Sequence, residues 1–343
     1  MSDFYILLVA ALTSFVLLPF NIYASKKFGL VDVPKDNRRM HKDAVPTVGG
    51  ISIFISLMAV TLIFVPMSRK LAFMLAGATV IAVTGLIDDI KNIKPLHKML
   101  GQIIAAGLAL YGGISINMIS NPFHAGQIIN MGIVGPILTM FWIVGVTNAL
   151  NFVDGLDGLC AGLSAISALT FYFASETVSF VPQVALALAG AALGFLPYNF
   201  NPAKIFMGDT GALLLGYMLA CISVEGVVKS VAAMSIIIPI FILALPVFDT
   251  LFAIVRRMAN NQKIMTADKG HLHHRLVQKG FSVRQTVLIL YVISILFSIL
   301  GFVISEVEPS MAIIIAVLAF VIVLLFGFLF GFFKGDKDRH KGE

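Results

Sequence analysis

The sequence predicts an all-α, polytopic integral-membrane protein of about eleven transmembrane helices. Hydrophobic residues make up 59% of the chain and charged residues 12%, with a mean hydropathy of +0.96, whereas soluble domains are roughly a quarter charged. The charges are also segregated. Lys, Arg, Asp and Glu gather in short connections between apolar stretches long enough to cross a bilayer core.

A helix needs about 20 apolar residues to cross that core. On this measure, spans are expected at 4–24, 48–66, 71–88, 97–117, 134–152, 158–175, 180–198, 211–228, 230–255, 286–304 and 310–333. The first lacks a basic leader and an Ala-x-Ala site, so it reads as a retained span. The span at 211–228 is the weakest, being short and carrying Glu225. Asn121-Pro122 and Gly126 in the connection Asn117–Met131 predict a small outer hairpin. Cys160 and Cys221 sit in apolar segments and read as small core residues. No soluble domain, long linker or internal repeat is evident. Residues 1–343 therefore read as one integral-membrane domain, with 334–343 as a charged cytoplasmic tail.

Basic residues set the orientation. With the N-terminus outside, 21 of the 24 Lys and Arg residues fall on inner connections or the C-terminal tail, leaving Arg69, Lys70 and Lys229 outside. The C-terminus is then cytoplasmic. The net charge of +6 lies at the membrane edge, where anionic lipid rather than nucleic acid is its expected partner. Asp88, Asp89, Asp154, Asp157, Asp209 and Asp268 fall on the same inner side, so the working face is cytoplasmic.

Four segments of that face carry chemistry. Asn148-Ala-Leu-Asn151-Phe-Val-Asp154-Gly-Leu-Asp157-Gly-Leu159 ends a run without charge from Met99 to Val153. Asn148, Asn151 and Asp154 share one helical stripe, and Gly155 and Gly158 loosen the backbone beside the acids. Asp88-Asp89 are adjacent carboxylates, so one must hold a proton or be neutralised by a cation; Mg²⁺ or a general-base role would satisfy them. In Tyr198-Asn199 … Phe206-Met-Gly208-Asp209-Thr-Gly211, an acid between glycines can approach a metal or phosphate closely. His271-Leu-His273-His274-Arg275 lies among basic residues without a nearby cysteine, which suits phosphate or sugar oxygens better than zinc. Two weaker sites are Lys42, ahead of Pro46-Thr47-Val-Gly49-Gly50, and Asp249, an acid within a span for which Arg256 or Arg257 are candidate partners. Mg²⁺ and cationic side chains around paired carboxylates are the equipment of phosphoryl transfer. One substrate would be a membrane lipid and the other a soluble phosphorylated donor.

The ordered motifs Pro-Thr-x-Gly-Gly, Asp-Asp-x-x-Asn, Asn-x-x-Asn-x-x-Asp-Gly-x-Asp-Gly-Leu, Phe-Met-Gly-Asp-x-Gly and His-Leu-His-His-Arg resemble the polyprenyl-phosphate N-acetylhexosamine-1-phosphate transferases. The likeness spans nearly the whole chain. The frame of the histidine run is similar to the WecA/TagO branch, whose donor is UDP-GlcNAc, rather than the MraY branch, whose donor is UDP-MurNAc-pentapeptide. The resemblance implies a bacterial plasma-membrane enzyme that uses Mg²⁺ (or Mn²⁺), with a homodimer as a candidate assembly. It would move GlcNAc-1-phosphate from UDP-GlcNAc to undecaprenyl phosphate as the first membrane step of a cell-envelope glycopolymer such as teichoic acid. It assigns Asn151 and Asp209 to the metal, and Asp88 and Asp89 to the acceptor phosphate as catalytic residues. Lys42, Asp157 and Phe206 would line the uracil pocket, with Asn148 and Asp154 beside it and Asn199 near the nucleotide. His271, His273, His274 and Arg275 would hold the donor sugar and phosphates. Asn92 stands where some relatives carry an acid and is not counted as a ligand. The alternatives are MraY-type specificity and, from another class, a secondary transporter; transporters place their charges near the midplane, which these acids avoid.

Overall fold

The computed structural model describes residues 3–32, 44–120, 128–175, 179–226, 237–260 and 270–329, so Lys42, Asp268 and the 334–343 tail lie outside the described residues. Within them the chain is an all-α membrane protein. The helices are α1 (Phe4–Lys27), α2 (Gly50–Phe64), α3 (Arg69–Lys91), α4 (Pro95–Gly112), α5 (Val134–Val153), α6 (Leu159–Ala174), α7 (Val181–Asn199) and α8 (Gly208–Gly226), followed by α9 (Ile237–Ile242), α10 (Ala244–Ala259), α11 (Leu272–Gln278), α12 (Val283–Glu306) and α13 (Pro309–Leu329). Among the described residues, α1, α3, α5, α7 and α12 are long and apolar enough to cross a membrane. Leu8, Leu12 and Phe20 of α1 and Ile322 and Leu325 of α13 point outward, as side chains facing lipid do.

Two short antiparallel pairs interrupt the helices. Strands β1 (Val31–Asp32) and β2 (Val45–Pro46) pair on the site side, while β3 (Met118–Ser120) and β4 (Ile128–Asn130) form the small hairpin expected between α4 and α5.

The structure corrects the expected span at 230–255. Its described part is two helices, α9 and α10, parted at Leu243. Pro246 has no N–H to offer the carbonyl four residues back, which is that of Ile242. The Ser167 hydroxyl of α6 donates to this carbonyl instead, at 3.2 Å, the kind of side-chain repair a broken helix needs in lipid.

The segment that looked weakest as a span, α8, is the most enclosed helix of the fold, with every residue from Thr210 to Ser223 buried. Its small residues depress hydropathy but let α3, α5 and α2 pack closely around it. The Tyr217 hydroxyl donates to the Met74 carbonyl of α3 at 3.2 Å and lies 3.4 Å from that of Ala105 in α4, while Glu225 at the far end pairs with Lys70 at 2.7 Å. α1 lies on α7 through a small-residue contact: a methyl at Gly190 or Gly194 would overlap the carbonyls of Leu7 or Ala11. Gly194→Val is expected to destabilise the protein by about 1–3 kcal/mol through overpacking. Gly107→Val, where nothing lies within 4 Å of an added methyl, should leave the melting temperature in detergent unchanged.

Candidate active site

The acids that were dispersed in sequence converge at one end of the bundle. A cleft of about 630 Å³ is lined by Asp88 and Asp89 from α3, Asn151 and Asp154 from the end of α5, and Asp209 at the start of α8. Asp157, Asn199 and Phe206 also line it, together with the edge of β1. Thr47 of the Pro46–Gly50 segment also lines it, and the segment's backbone pairs with that of Phe206 and Met207. Phe206 N–H donates to the Pro46 carbonyl at 2.8 Å, Gly49 N–H to Phe206 at 2.9 Å and Gly50 N–H to Met207 at 2.8 Å.

Asp88 and Asp89 point to different partners. The Asp89 carboxylate accepts from the backbone N–H groups of Asp209 (2.7 Å) and Thr210 (3.0 Å) and from the Thr210 hydroxyl (2.6 Å). It thus caps the first turn of α8, where free N–H groups and the helix dipole favour an anion. Asp88 accepts the Ile93 N–H at 2.8 Å and the Lys98 ammonium at 2.9 Å. Asn92 ends α3 in the left-handed conformation (φ 49°), donating its N–H to the Asp88 carbonyl, so the Asn of Asp-Asp-x-x-Asn serves the turn.

Lys98, at the start of α4, also bridges to Asp209, whose second oxygen accepts the Asn151 amide at 2.9 Å. Sequence reading counted this lysine only toward orientation. It marks the point between Asp88 and Asp209 where a positive charge is drawn, close to the Asn151 amide. Carboxylate and amide oxygens are hard donors suited to Mg²⁺, which typically uses one or two protein carboxylates plus substrate phosphates. Among the described residues no cluster of three or more His, Cys, Asp or Glu could hold a metal alone. The donor set fits a cation completed by a phosphorylated substrate.

Asp154 is the half-buried C-cap of α5. Burial, and then the neighbouring carboxylates Asp209, Asp89 and Asp157, push its pKa up to about 8.

Two expectations change, for Asn148 and for the histidine run, while Asn199 lines the cleft. Asn148 does not line the cleft; it exchanges hydrogen bonds with Gln102 of α4 (2.6 and 3.2 Å), and so fixes α4 against α5. Asn199 is buried with both ends of its amide engaged, accepting from Gly158 N–H and donating to the Ile205 carbonyl, each at 3.0 Å. It braces the loops around the cleft. The histidine run, expected to meet phosphate or sugar oxygens, is partly enclosed. His271 and His273 are buried, and burial followed by the charge of His274 lowers the pKa of His273 to about 3, leaving it neutral.

The His273 ring packs on Gly155, where a methyl would lie 2.5 Å from its Nε2, a nitrogen that has no hydrogen-bond partner. The run therefore adjoins the cleft without lining it. His274 lies against His273 with ring centroids 4.2 Å apart, and Arg275 donates from Nε to the Gly270 carbonyl at 2.8 Å. Asp157 keeps one oxygen on the Asn201 amide (2.9 Å) and the Ala203 N–H (3.1 Å). Asp249, for which Arg256 or Arg257 were the candidate partners, pairs with His271.

A second cavity, of about 510 Å³, runs between α5, α9, α10 and α13, walled by Trp142, Val146, Phe241, Phe248, Leu251 and Phe320. Ala149 of α5 belongs to its wall, two positions along the helix from Asn151, but the groove and the polar cleft share no lining residue.

Comparison with known proteins bears on this arrangement. The sequence profile of glycosyl transferase family 4 matches residues 71–227, from α3 through α8, which includes every acid of the cleft except Asp32. A probable undecaprenyl-phosphate N-acetylglucosaminyl 1-phosphate transferase of Bacillus subtilis is 41% identical over 302 residues, covering 87% of this chain and 84% of that one. Decaprenyl-phosphate N-acetylglucosaminephosphotransferase of Mycobacterium tuberculosis is 36% identical, covering 83% and 78%. The undecaprenyl-phosphate α-N-acetylglucosaminyl 1-phosphate transferase of Thermotoga maritima is 32% identical, covering 85% and 87%. The chain belongs to glycosyl transferase family 4, among the polyprenyl-phosphate hexosamine-1-phosphate transferases.

Proposed function

We propose that this protein transfers GlcNAc-1-phosphate from UDP-GlcNAc to undecaprenyl phosphate, releasing UMP, on the cytoplasmic side of a bacterial plasma membrane. The observation that carries the reading is the convergence of Asp88 and Asp209 on Lys98, with the Asn151 amide on the other oxygen of Asp209. An apolar groove of about 510 Å³, walled in part by the same helix α5, suits a polyprenyl tail. The relatives whose names specify GlcNAc-1-phosphate transfer support this donor over UDP-MurNAc-pentapeptide. The gathering of acids at one end of the bundle disfavours a transporter. Eleven spans, an external N-terminus and an inward-facing cleft complete the proposal, supported by the distribution of basic residues.

In the reaction, an acceptor phosphate oxygen attacks the β-phosphorus of the donor. A new P–O bond forms to the sugar-bearing phosphate, and the bond to the oxygen bridging to UMP breaks. Mg²⁺, held by Asp209 and the Asn151 amide oxygen, would neutralise charge as the two anions meet. Asp88 faces the attack and receives the acceptor's proton where one is present. Lys98, released from its carboxylate bridge, balances charge on the phosphates. The Asp89 carboxylate is occupied by three hydrogen bonds from α8; this supports direct attack over a covalent intermediate on that residue. The uracil end lies toward Phe206 and Asp157.

UMP release from the purified protein should require UDP-GlcNAc, undecaprenyl phosphate and Mg²⁺ together. EDTA should abolish it and Mg²⁺ restore it. Release that persists in EDTA contradicts the metal reading, and none with all three present contradicts the activity. Asp88→Asn and Asp209→Asn should each lower kcat by about 10²-fold or more while the melting temperature is retained. Asp89→Asn should lose activity and stability together, because the first turn of α8 loses its carboxylate cap; normal stability in that variant would contradict the capping role. The sign of the Asp154 effect follows from linkage. Its folded pKa of about 8 lies above the 3.8 of an ordinary aspartate, so the folded metal-free state retains a proton that the unfolded state has lost. Stability from this group is complete below the unfolded value and is lost as pH rises through about 8. Asp154→Asn, permanently neutral, should therefore gain stability over wild type between pH 5 and 8 in EDTA, measured by melting curves.

A further inference from the structure

An acid in the middle of an apolar helix has to be partnered, because an unpaired carboxylate in a membrane core is costly. Asp249 sits in α10 between Phe248 and Thr250 and is only 6% exposed. Both of its oxygens leave α10 and cross to the segment that enters α11. Oδ2 lies 2.8 Å from the Nδ1 of His271, and Oδ1 accepts the backbone N–H of Leu272 at 2.9 Å. One carboxylate thus fixes the ring of His271 and the backbone immediately after it. Neither Asp249 nor the pair belongs to the segment matched by the family profile.

The ring so held stands against the polar motif at the end of α5. Its centroid is 6.0 Å from that of Phe152, which lies between Asn151 and Asp154, and it stacks on His273 at 5.8 Å with an interplanar angle of 7°. His271 is itself 5% exposed. The two ring nitrogens of a histidine have distinct roles, and a carboxylate on one sets both tautomer and orientation for the other. With Nδ1 taken by Asp249, Nε2 is the nitrogen left to meet a phosphate or sugar oxygen.

We propose that Asp249 is a positioning residue for this reaction, acting through His271, whose ring it turns and tautomer it fixes so that Nε2 serves the donor. The proposal rests on the reading that the His-Leu-His-His segment handles the nucleotide-sugar donor. It assigns a use to an intramembrane acid that does not line the polar cleft. Because Phe248 and Leu251, its neighbours on α10, wall the apolar groove, it also links the helix beside the lipid tail to the segment beside the donor.

A double-mutant cycle on the purified full chain, with saturating undecaprenyl phosphate and varied UDP-GlcNAc, tests it. Asp249→Asn keeps the side-chain size but loses the charge and one acceptor. It should lower kcat/KM for the donor by about 10- to 100-fold, the usual cost of losing a residue that orients a functional histidine. His271→Ala should lower it at least as much. In the His271→Ala background, Asp249→Asn should then change it by less than about twofold. If Asp249→Asn does not fold, Asp249→Glu, which retains the carboxylate at a longer reach, replaces it in the cycle. Equal losses from the Asp249 substitution in both backgrounds, or a wild-type rate in Asp249→Asn, would overturn the positioning role while leaving the donor reading of His271 intact. A wild-type rate in His271→Ala would overturn the donor reading and the proposal together.

Discussion

The grip of Asp89 on the first turn of α8 is the interaction on which the rest of the site depends. Three hydrogen bonds of 2.6–3.0 Å reach one carboxylate, and bonds to charged groups are worth about 1.5–3 kcal/mol each. The helix dipole adds up to about 2 kcal/mol where it is partly buried. One of those donors is the backbone N–H of Asp209 itself. The same contact that docks α8 onto α3 therefore sets the direction from which the Asp209 carboxylate leaves the helix. The adjacent acids do not compete for one cation: Asp89 meets a helix end and Asp88 meets Lys98, so their mutual repulsion is resolved by two separate positive partners.

That grip requires backbones closer than side chains permit. A methyl at Gly85 of α3 would lie 2.5 Å from the Thr210 Cα, and one at Gly50 of α2 would overlap Gly211. Gly208 combines a left-handed φ of +68° with the Asp89 carboxylate 2.6 Å from where its Cβ would be, a position that only glycine tolerates. The Pro-Thr-x-Gly-Gly and Phe-Met-Gly-Asp-x-Gly segments are thus two sides of one contact. Their glycines admit α8 and their backbones pair beside the cleft.

Hydropathy made the helices legible, because a bilayer imposes length and polarity on each span regardless of its partners. It misjudged 230–255, where the break at Leu243 has no polar mark and is repaired by Ser167, far away in sequence. It undervalued α8, whose small residues lower hydropathy for the same reason that they allow burial. Among site residues, the acids and Asn151 were readable from their density at span ends. Lys98 was not, since a lysine at a helix end fits the expected positive-inside pattern whether or not it reaches a carboxylate. The stripe of Asn148, Asn151 and Asp154 was read as one unit. α5 is wedged between α4 and α8, so Asn148 meets Gln102 and Asn151 meets Asp209, while the helix ends before Asp154. Periodicity places residues on a face; only the packed neighbours decide what that face meets.

The histidine run shows how burial alters what a motif can offer. In sequence, three imidazoles beside an arginine suggest positive charge for a pyrophosphate. In the fold, His273 is held neutral by its surroundings, and the Nδ1 of His271 is committed to Asp249. A neutral imidazole such as that of His273 directs a hydrogen bond without supplying charge, and its orientation matters more than its basicity. On the proposed reading, charge for the meeting of two phosphates would come mainly from Lys98 and from a cation held by Asp209 and Asn151. The labour is divided accordingly: α3, α4, α5 and α8 gather the charged side chains, while α10 and α11 fix the geometry of the histidines beside them.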